Sequence, residues 1–434
     1  MTRRDSIERT LTPLSAIVEA QRRPAPARTV AGRLRCALIG FGRRGLDLAR
    51  AAAGVQQMEI VAVADAYEGR LTRAREVLGA SLLTSPDAST VIGRGDVDAI
   101  LIATPDHLHE THVTEALAAS KPVYCEHPIV HTTDGLARMQ RALSAAKVTA
   151  GSGVLQEAVV GAAREMVGEG RLGEVTLVTA CWDTGTALDA WVVPFPPDAS
   201  PESVAWHAFA PATAIFDPAH FFRWRVFSRY GSGLVGARFV PLLWDIHRIL
   251  DLAAPDRCTA AGRLVRWRDG RDTPDVLHAT FDHSNVAVDL AATLNGSGRA
   301  QEIRLIGTDA TLVLRRHELE LIPQRTEEPY ADVGDTWPEQ YRRWVFMMHG
   351  LTPQGAIRGT PPVVKAGERY TLPPGGHDLT PSLSRFVEAA RSGQPAAGLA
   401  PTTAADVARA GLMCTAAIAS GRSVTGRDLV GDAA

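Results

Sequence analysis

The 434-residue chain is short of cysteine, short of aromatic side chains and without a strong charge of either sign. Its five cysteines, Cys36, Cys125, Cys181, Cys258 and Cys414, are scattered and form no CxxC pair. That pattern argues against a disulfide framework or a zinc site and suits a reducing compartment. A net charge of −2 supplies no basic field for nucleic acid. No apolar run is long enough to span a bilayer. The length that remains accommodates two domains, each with a sizeable core.

The N-terminus carries Arg3-Arg4, a possible relic of a twin-arginine export signal. Glu8 and Glu19 interrupt the apolar core that such a signal needs. Residues 1–32 therefore read as an arm and linker ending in Arg22-Arg23-Pro24-Ala25-Pro26. A cytoplasmic location is expected, with export as the runner-up.

The most informative stretch follows. A short apolar strand, Arg35-Cys36-Ala37-Leu38-Ile39, runs into Gly40-Phe41-Gly42-Arg43-Arg44-Gly45 and a helical segment to about Ala53. Gly40 permits a tight turn, Gly42 lets backbone approach a pyrophosphate, and Gly45 lets helix and strand pack closely. The helix then points its free N–H groups and positive dipole end at the phosphates. The next strand, Glu59–Ala64, ends at Asp65, about 20 residues on, where a carboxylate takes ribose hydroxyls. Asp65 favours NAD over NADP because it repels a 2′-phosphate, although Arg43 or Arg70 would offset that repulsion.

Through residue 155 strands and helices alternate: helix around Leu71–Leu78, strand Asp98–Ala103, helix His109–Ala119, strand Lys121–Glu126. Such alternation predicts an α/β Rossmann domain, a doubly wound parallel sheet over residues 33–155. Thr104-Pro105-Asp106-His107-Leu108-His109 and Glu126-His127-Pro128 sit at strand ends, where such sheets bind ligands. Residues 156–434 change character, with strands at Val175–Cys181, Cys258–Trp267, Val276–Phe281, Val286–Leu294, Glu302–Ile306 and Thr311–Leu314. This predicts an α+β domain with a large, mostly antiparallel open sheet. Residues 323–376 read as loop, and helical patterns return at Ser382–Arg391 and Ala404–Ser420.

Together these motifs resemble the glucose–fructose oxidoreductase/inositol dehydrogenase (Gfo/Idh/MocA) family. The residues carrying the resemblance are Gly40, Gly42 and Gly45, then Thr104, Pro105 and His109, and Phe216–Arg225 with Tyr230-Gly231-Ser232-Gly233. Leu305–Leu312 resembles the family's sheet signature. The resemblance implies NAD(P)-linked oxidation or reduction of a sugar, cyclitol or related polyol. It also implies a homo-oligomer, dimer or tetramer, built through the exposed face of the C-terminal sheet. On it rest the cofactor contacts expected of Phe41, Arg43, Arg44, His107, Glu126 and Gln156.

The departures are as informative. Where the family has Glu-Lys-Pro, this chain has Glu126-His127-Pro128. Where the family places an aspartate and a histidine on one helix face, the chain has Ala237 and Pro241, or one register on, Arg238 and Leu242. Pro241 is comfortable in a first turn, so a helix beginning near Val240 is expected. An imidazole is a suitable base near neutral pH, so His127 is a candidate for the missing lysine's work. Alternatively, it fills the lysine's space against the cofactor.

Tyr230 is a candidate for a hydrogen bond to substrate, and Asp245 either serves the site or pairs with Arg238 or Arg248. The last three are expected on the helix side opposite the apolar face. Trp182 and Trp224, among four tryptophans between Cys181 and Phe227, suit stacking on a sugar ring, or else pack a loop or interface, and Arg238 is the third substrate-binding candidate. Three functions follow: a dehydrogenase with an altered acid/base set, a glycosidase-like enzyme using NAD transiently, or a catalytically silent NAD-binding partner or regulator.

Overall fold

The computed structural model describes residues 32–143, 148–151, 153–211, 213–297, 300–324, 336–348, 367–371, 379–394 and 402–430. The N-terminal arm and most of the Pro/Gly-rich stretch lie outside these.

The first unit runs β1 (Leu34–Ile39), α1 (Arg43–Ala53), β2 (Met58–Ala64), α2 (Glu68–Leu78), β3 (Leu83–Ser85), α3 (Ala88–Ile92), β4 (Ala99–Ile102), α4 (Asp106–Ala118), β5 (Val123–Cys125), α5 (Thr133–Leu143) and β6 (Val148–Ala150). All six strands are parallel in the order β3-β2-β1-β4-β5-β6. β4 is buried along its whole length, as a central strand covered on both faces must be. The order reverses between β1 and β4, where Ile39 pairs with Ile102. That switch point opens the crevice at the strands' carboxyl ends.

The second unit adds α6 (Glu157–Gly168), β7 (Val175–Asp183), α7 (Pro218–Phe222), α8 (Val240–Leu250), β8 (Arg257–Arg263), β9 (Val276–Asp282), β10 (Ala287–Thr293), β11 (Ala300–Gly307), β12 (Ala310–Arg315), β13 (Glu318–Pro323), α9 (Glu339–Met348), β14 (Glu368–Thr371), α10 (Thr380–Ser392), α11 (Thr403–Ser420) and β15 (Val424–Thr425). Its nine strands are ordered β14-β13-β12-β11-β7-β10-β9-β8-β15. Every pair is antiparallel except β7 with β10. Burial alternates along β9 and β10, so one face packs inward while the other carries polar residues such as His278, Asp289 and Arg304.

Several expectations need correction. α4 starts at Asp106, not His109: Pro105 ends the extended strand exit and Asp106 suits the first-turn dipole. The stretch read as loop contains α9 and β14, both short and hidden by their Pro/Gly-rich flanks. α8 begins at Val240 with Pro241 in its first turn, but a π-helical turn, Val235–Phe239, precedes it. The helical rod is thus longer than anticipated, and the wide turn absorbs proline's missing donor. α10, anticipated with the second domain, instead seats Leu383, Phe386 and Val387 in the core beneath α1 and β1.

Candidate functional site

Gly40 takes φ +90°, and a Cβ there would stand 2.7 Å from the Ala103 carbonyl oxygen. A Cβ on Gly45 would collide with the Gly40 carbonyl. Only glycine fits both places. Gly42 caps α1 without any side-chain hydrogen bond, so the helix's first amides stay available to an anion. Above Gly42 the nearest side chain is Arg70, whose guanidinium carbon would lie 3.8 Å from a Cβ.

Asp65 closes β2 and is almost wholly buried. Its Oδ2 accepts the Phe41 amide at 2.7 Å and its Oδ1 the Tyr67 amide at 3.0 Å. Arg70 stands 3.5 Å from the same carboxylate. Phe41 itself points into the core, so only its backbone faces the turn. Arg43 is exposed and pairs with Asp47 at 3.5 Å, away from the crevice. Arg44 turns inward, its Nε 2.9 Å from Glu126 Oε1. This ion pair joins the glycine turn to the end of β5.

The two strand-end histidines do something other than the sequence suggested. His107 was expected to meet cofactor or substrate. Its Nδ1 instead lies 3.1 Å from the Tyr230 carbonyl and its Nε2 2.7 Å from that of Phe209. His109 spans the Pro128 carbonyl at 2.7 Å and the Thr104 carbonyl at 2.8 Å. Both are structural staples. The Thr104 hydroxyl beside them is buried without a partner, an acceptor or donor left for a ligand. Pro105 is the residue before α4. Gln156 precedes α6, its amide bonded to the Arg316 carbonyl at 2.9 Å.

His127 lies at the junction of the two units, its ring 4.9 Å from that of Trp244. Its Nε2 is buried and unpartnered. Burial and then the Arg44 cation push its pKa down to about 3, so the imidazole is neutral at physiological pH. Asp245 is fully buried, not on an outward helix side. Its Oδ2 accepts the Val154 and Leu155 amides at 2.7 and 2.8 Å, and Arg248 stands 4.0 Å from Oδ1. Burial raises its pKa to about 7, against the pull of Arg248. Arg248 also grips Glu157 with two bonds, 3.0 and 2.6 Å, and Arg385 reaches the same carboxylate at 2.6 Å. Burial alone would raise Glu157, but the two arginines outweigh it and hold it near 2. Asp245 thus belongs to a network knitting α6, α8 and α10 together.

Val204, Phe209, Phe221 and Tyr230 pack with Tyr67 into an aromatic-rich cluster beside the end of β2. Val204 bridges to Tyr67, and the Ala205 amide donates to the Ala66 carbonyl at 2.7 Å. Tyr230, expected to face substrate, is 2% exposed among Phe209, Phe221 and Tyr67. Trp182 and Trp224 do not offer open faces for a sugar. Arg238 lies over Trp182 at 4.4 Å, and Arg225 over Trp224 at 4.2 Å. Arg225 escaped the sequence reading because nothing local distinguishes it from a surface arginine. Among the described residues no cluster of three metal-ligating side chains occurs, and no helix is long and apolar enough to cross a membrane.

Residues 34–154 match the family model GFO_IDH_MocA, described as an oxidoreductase family with an NAD-binding Rossmann fold. Over these residues the chain is similar to the Gfo/Idh/MocA family. It is 37% identical over 100 residues to inositol 2-dehydrogenase 1 of Saccharopolyspora erythraea, and 39% over 111 residues to inositol 2-dehydrogenase of Acidothermus cellulolyticus. These matches cover 23% and 25% of this chain, and 30% and 32% of the relatives' own length. Likeness of fold extends further. The structure of apo scyllo-inositol dehydrogenase from Lactobacillus casei superposes with a TM-score of 0.62 at 16% identity, covering 92% of this chain and all of that one. An oxidoreductase from Agrobacterium radiobacter, solved with NAD+, L-tartaric acid and magnesium, gives 0.60 at 16% identity over 92% and 99% of the two chains. In this chain, then, the glycine turn, Asp65 and both strand-end motifs share one crevice with the junction to the second sheet.

Proposed function

We propose that the chain is an NAD-dependent dehydrogenase of a sugar, cyclitol or related polyol, with His127 as the proton acceptor. The observation that carries this reading is the convergence of the glycine turn, the Arg44–Glu126 pair and the unpartnered Nε2 of His127 at one crevice. Gly40, Gly42 and Gly45 leave the space a pyrophosphate needs, and the α1 amides face it. Asp65, with lone pairs beyond those taken by Phe41 and Tyr67, is placed for ribose hydroxyls and favours NAD. NADP remains the second choice, since Arg70 already neutralises part of the Asp65 charge.

Bound NAD supplies the hydride acceptor. The chain's own part is to orient the alcohol and take its proton as the carbonyl forms. A neutral His127 has a lone pair for that proton, and Trp244 fixes the ring. Burial, and after it the Arg44 charge, keeps the imidazole unprotonated, which holds the acceptor form ready.

A second reading, a silent NAD-binding protein, is favoured by Ala237 and Pro241 at the positions of the family's acid/base pair and by the low basicity of His127. Mixing NAD+-loaded protein with a panel of polyols and sugars decides between them. Growth of the reduced-nicotinamide absorbance band supports the dehydrogenase; tight NAD+ binding with no response across the panel supports the silent protein. Further proposals are a homo-oligomer through the polar face of the nine-stranded sheet, a cytoplasmic location, and domains of residues 33–155 and 156–434.

A further inference from the structure

Of the guanidinium groups of Arg44, Arg70, Arg225 and Arg238, two are ion-paired and two are not. Arg44 is paired with Glu126, and Arg70 with Asp65. Arg225 and Arg238 have no carboxylate within 4 Å among the described residues. Burial lowers the pKa of both, and Arg225 also feels Asp106, Arg44, Arg70 and Glu126, while Arg238 feels Arg225 and, in the other direction, Asp189. Arg238 follows Gly236 by two residues, and a Cβ on Gly236 would stand 3.1 Å from Asp106 Oδ2 and from Pro128 Cδ, so Arg238 belongs to the turn that packs beside the His127-Pro128 strand end.

Arg238 is held in a specific pose. Its guanidinium lies 4.4 Å from the Trp182 ring and 5.4 Å from that of Trp191. Its Nε is buried and unpartnered, and its other nitrogens make only long contacts, 3.4 Å each, to the Ala237 and Asp189 carbonyls. Stacking on indole recovers part of the cost of desolvating a cation. Enclosing an unpaired guanidinium costs more than that stacking returns. The balance is supplied when an anion enters. The planar fork of an arginine matches a carboxylate with two parallel bonds, which a lysine cannot reproduce. The tryptophans hold that fork flat in advance, so little rotamer freedom is lost on binding.

We infer that Arg238 receives an oxyanion on the substrate, and that the substrate is an acidic sugar such as a uronate in place of a neutral polyol. The inference rests on the dehydrogenase reading for its placement of substrate, and it deepens that reading by naming a substrate class. It also explains the departures at positions 237 and 241: a pocket rebuilt around an arginine admits a charged ligand where the family places an aspartate.

Calorimetry on NAD+-saturated protein tests this with three probes: glucuronate, glucose and glucose 6-phosphate. Glucuronate should bind at least about tenfold more tightly than glucose, the size expected of one charge-assisted pair. Arg238→Gln should erase that preference while leaving NAD+ affinity within about twofold. Arg238→Lys, which keeps the charge without the fork, should retain only part of it, and its melting curve checks folding if the glutamine variant is unstable. A preference for glucose 6-phosphate assigns the oxyanion to a phosphate and upholds the arginine's role. Equal binding of glucose and glucuronate, or equal loss of NAD+ and sugar acid in Arg238→Gln, overturns the inference. Should the wild-type chain bind no NAD+, the dehydrogenase reading fails. Glucuronate titrated into nucleotide-free protein then still decides the role of Arg238.

Discussion

The Asp65 carboxylate accepts the Phe41 amide at 2.7 Å, tying the end of β2 to the glycine turn after β1. The same group accepts the Tyr67 amide, so one side chain orders both lips of the crevice. Asp65→Ala leaves two enclosed amides unpaired, at a cost of about 1–3 kcal/mol each. The expected result is a lowered urea midpoint together with weakened NAD+ binding. Asp65→Asn, which keeps an acceptor, should recover most of the stability. A midpoint unmoved in the alanine variant would refute the structural half of this assignment.

Gly153 leaves room for Asp245. A Cβ at that position would collide with the Asp245 carboxylate, whose Oδ2 is fixed by the Val154 and Leu155 amides. Gly153→Ala should therefore cost about 3 kcal/mol or more, as overpacking against a fixed buried group does. Chemical denaturation reads the change, and a variant as stable as the wild type would contradict the packing described.

His127→Ala should lower kcat by about 10² to 10⁴, the usual contribution of a positioned base. Affinity for NAD+ should stay close to wild type, because the glycine turn and Asp65 are untouched. Steady-state kinetics paired with calorimetry separates the two effects. Wild-type turnover in this variant would remove His127 from the reaction.

Acid should destabilise the fold through its enclosed imidazoles. Burial lowers His112 to about 4, and His127 and His247 to about 3. Each unfolds to an ordinary value near 6.5, so between those limits the unfolded chain binds more protons. Stability contributed by the neutral rings is full above about pH 6.5 and is lost as pH falls toward 3, by up to about 1.4 kcal/mol per pH unit for each ring. Asp245 works in the other direction: its raised value favours the fold at low pH and is lost as pH rises through about 7. Melting temperature against pH should fall below pH 6.5, with a shallower fall in His247→Phe. A flat profile from pH 7 to 4 would contradict the burial of these groups.

What could be read in the sequence was what depends on near neighbours. Gly40, Gly42 and Gly45 declare themselves because a tight turn and a close helix are local requirements, and Asp65 follows at a distance set by one crossover. Most strands of both sheets announced themselves by apolar runs, but β3, β6, β13, β14 and β15 did not. His107 could not be read correctly, since its partners are the carbonyls of Phe209 and Tyr230, 102 and 123 residues away. Asp245 looked outward by helical spacing and is buried because α6 and the 153–155 segment pack over it. Arg238 was legible as a substrate-binding candidate and Arg225 was not; only tertiary packing lays each on a tryptophan.

The return of α10 to the first sheet has a practical outcome for anyone dissecting the molecule. Leu379, Leu383, Phe386 and Val387 complete the packing under Leu38, Leu48 and Tyr124. A fragment ended after residue 155 would lose that wedge and present a greasy seam to water. The nucleotide-binding half is therefore not a severable module, and its excision should yield aggregates instead of a free-standing domain.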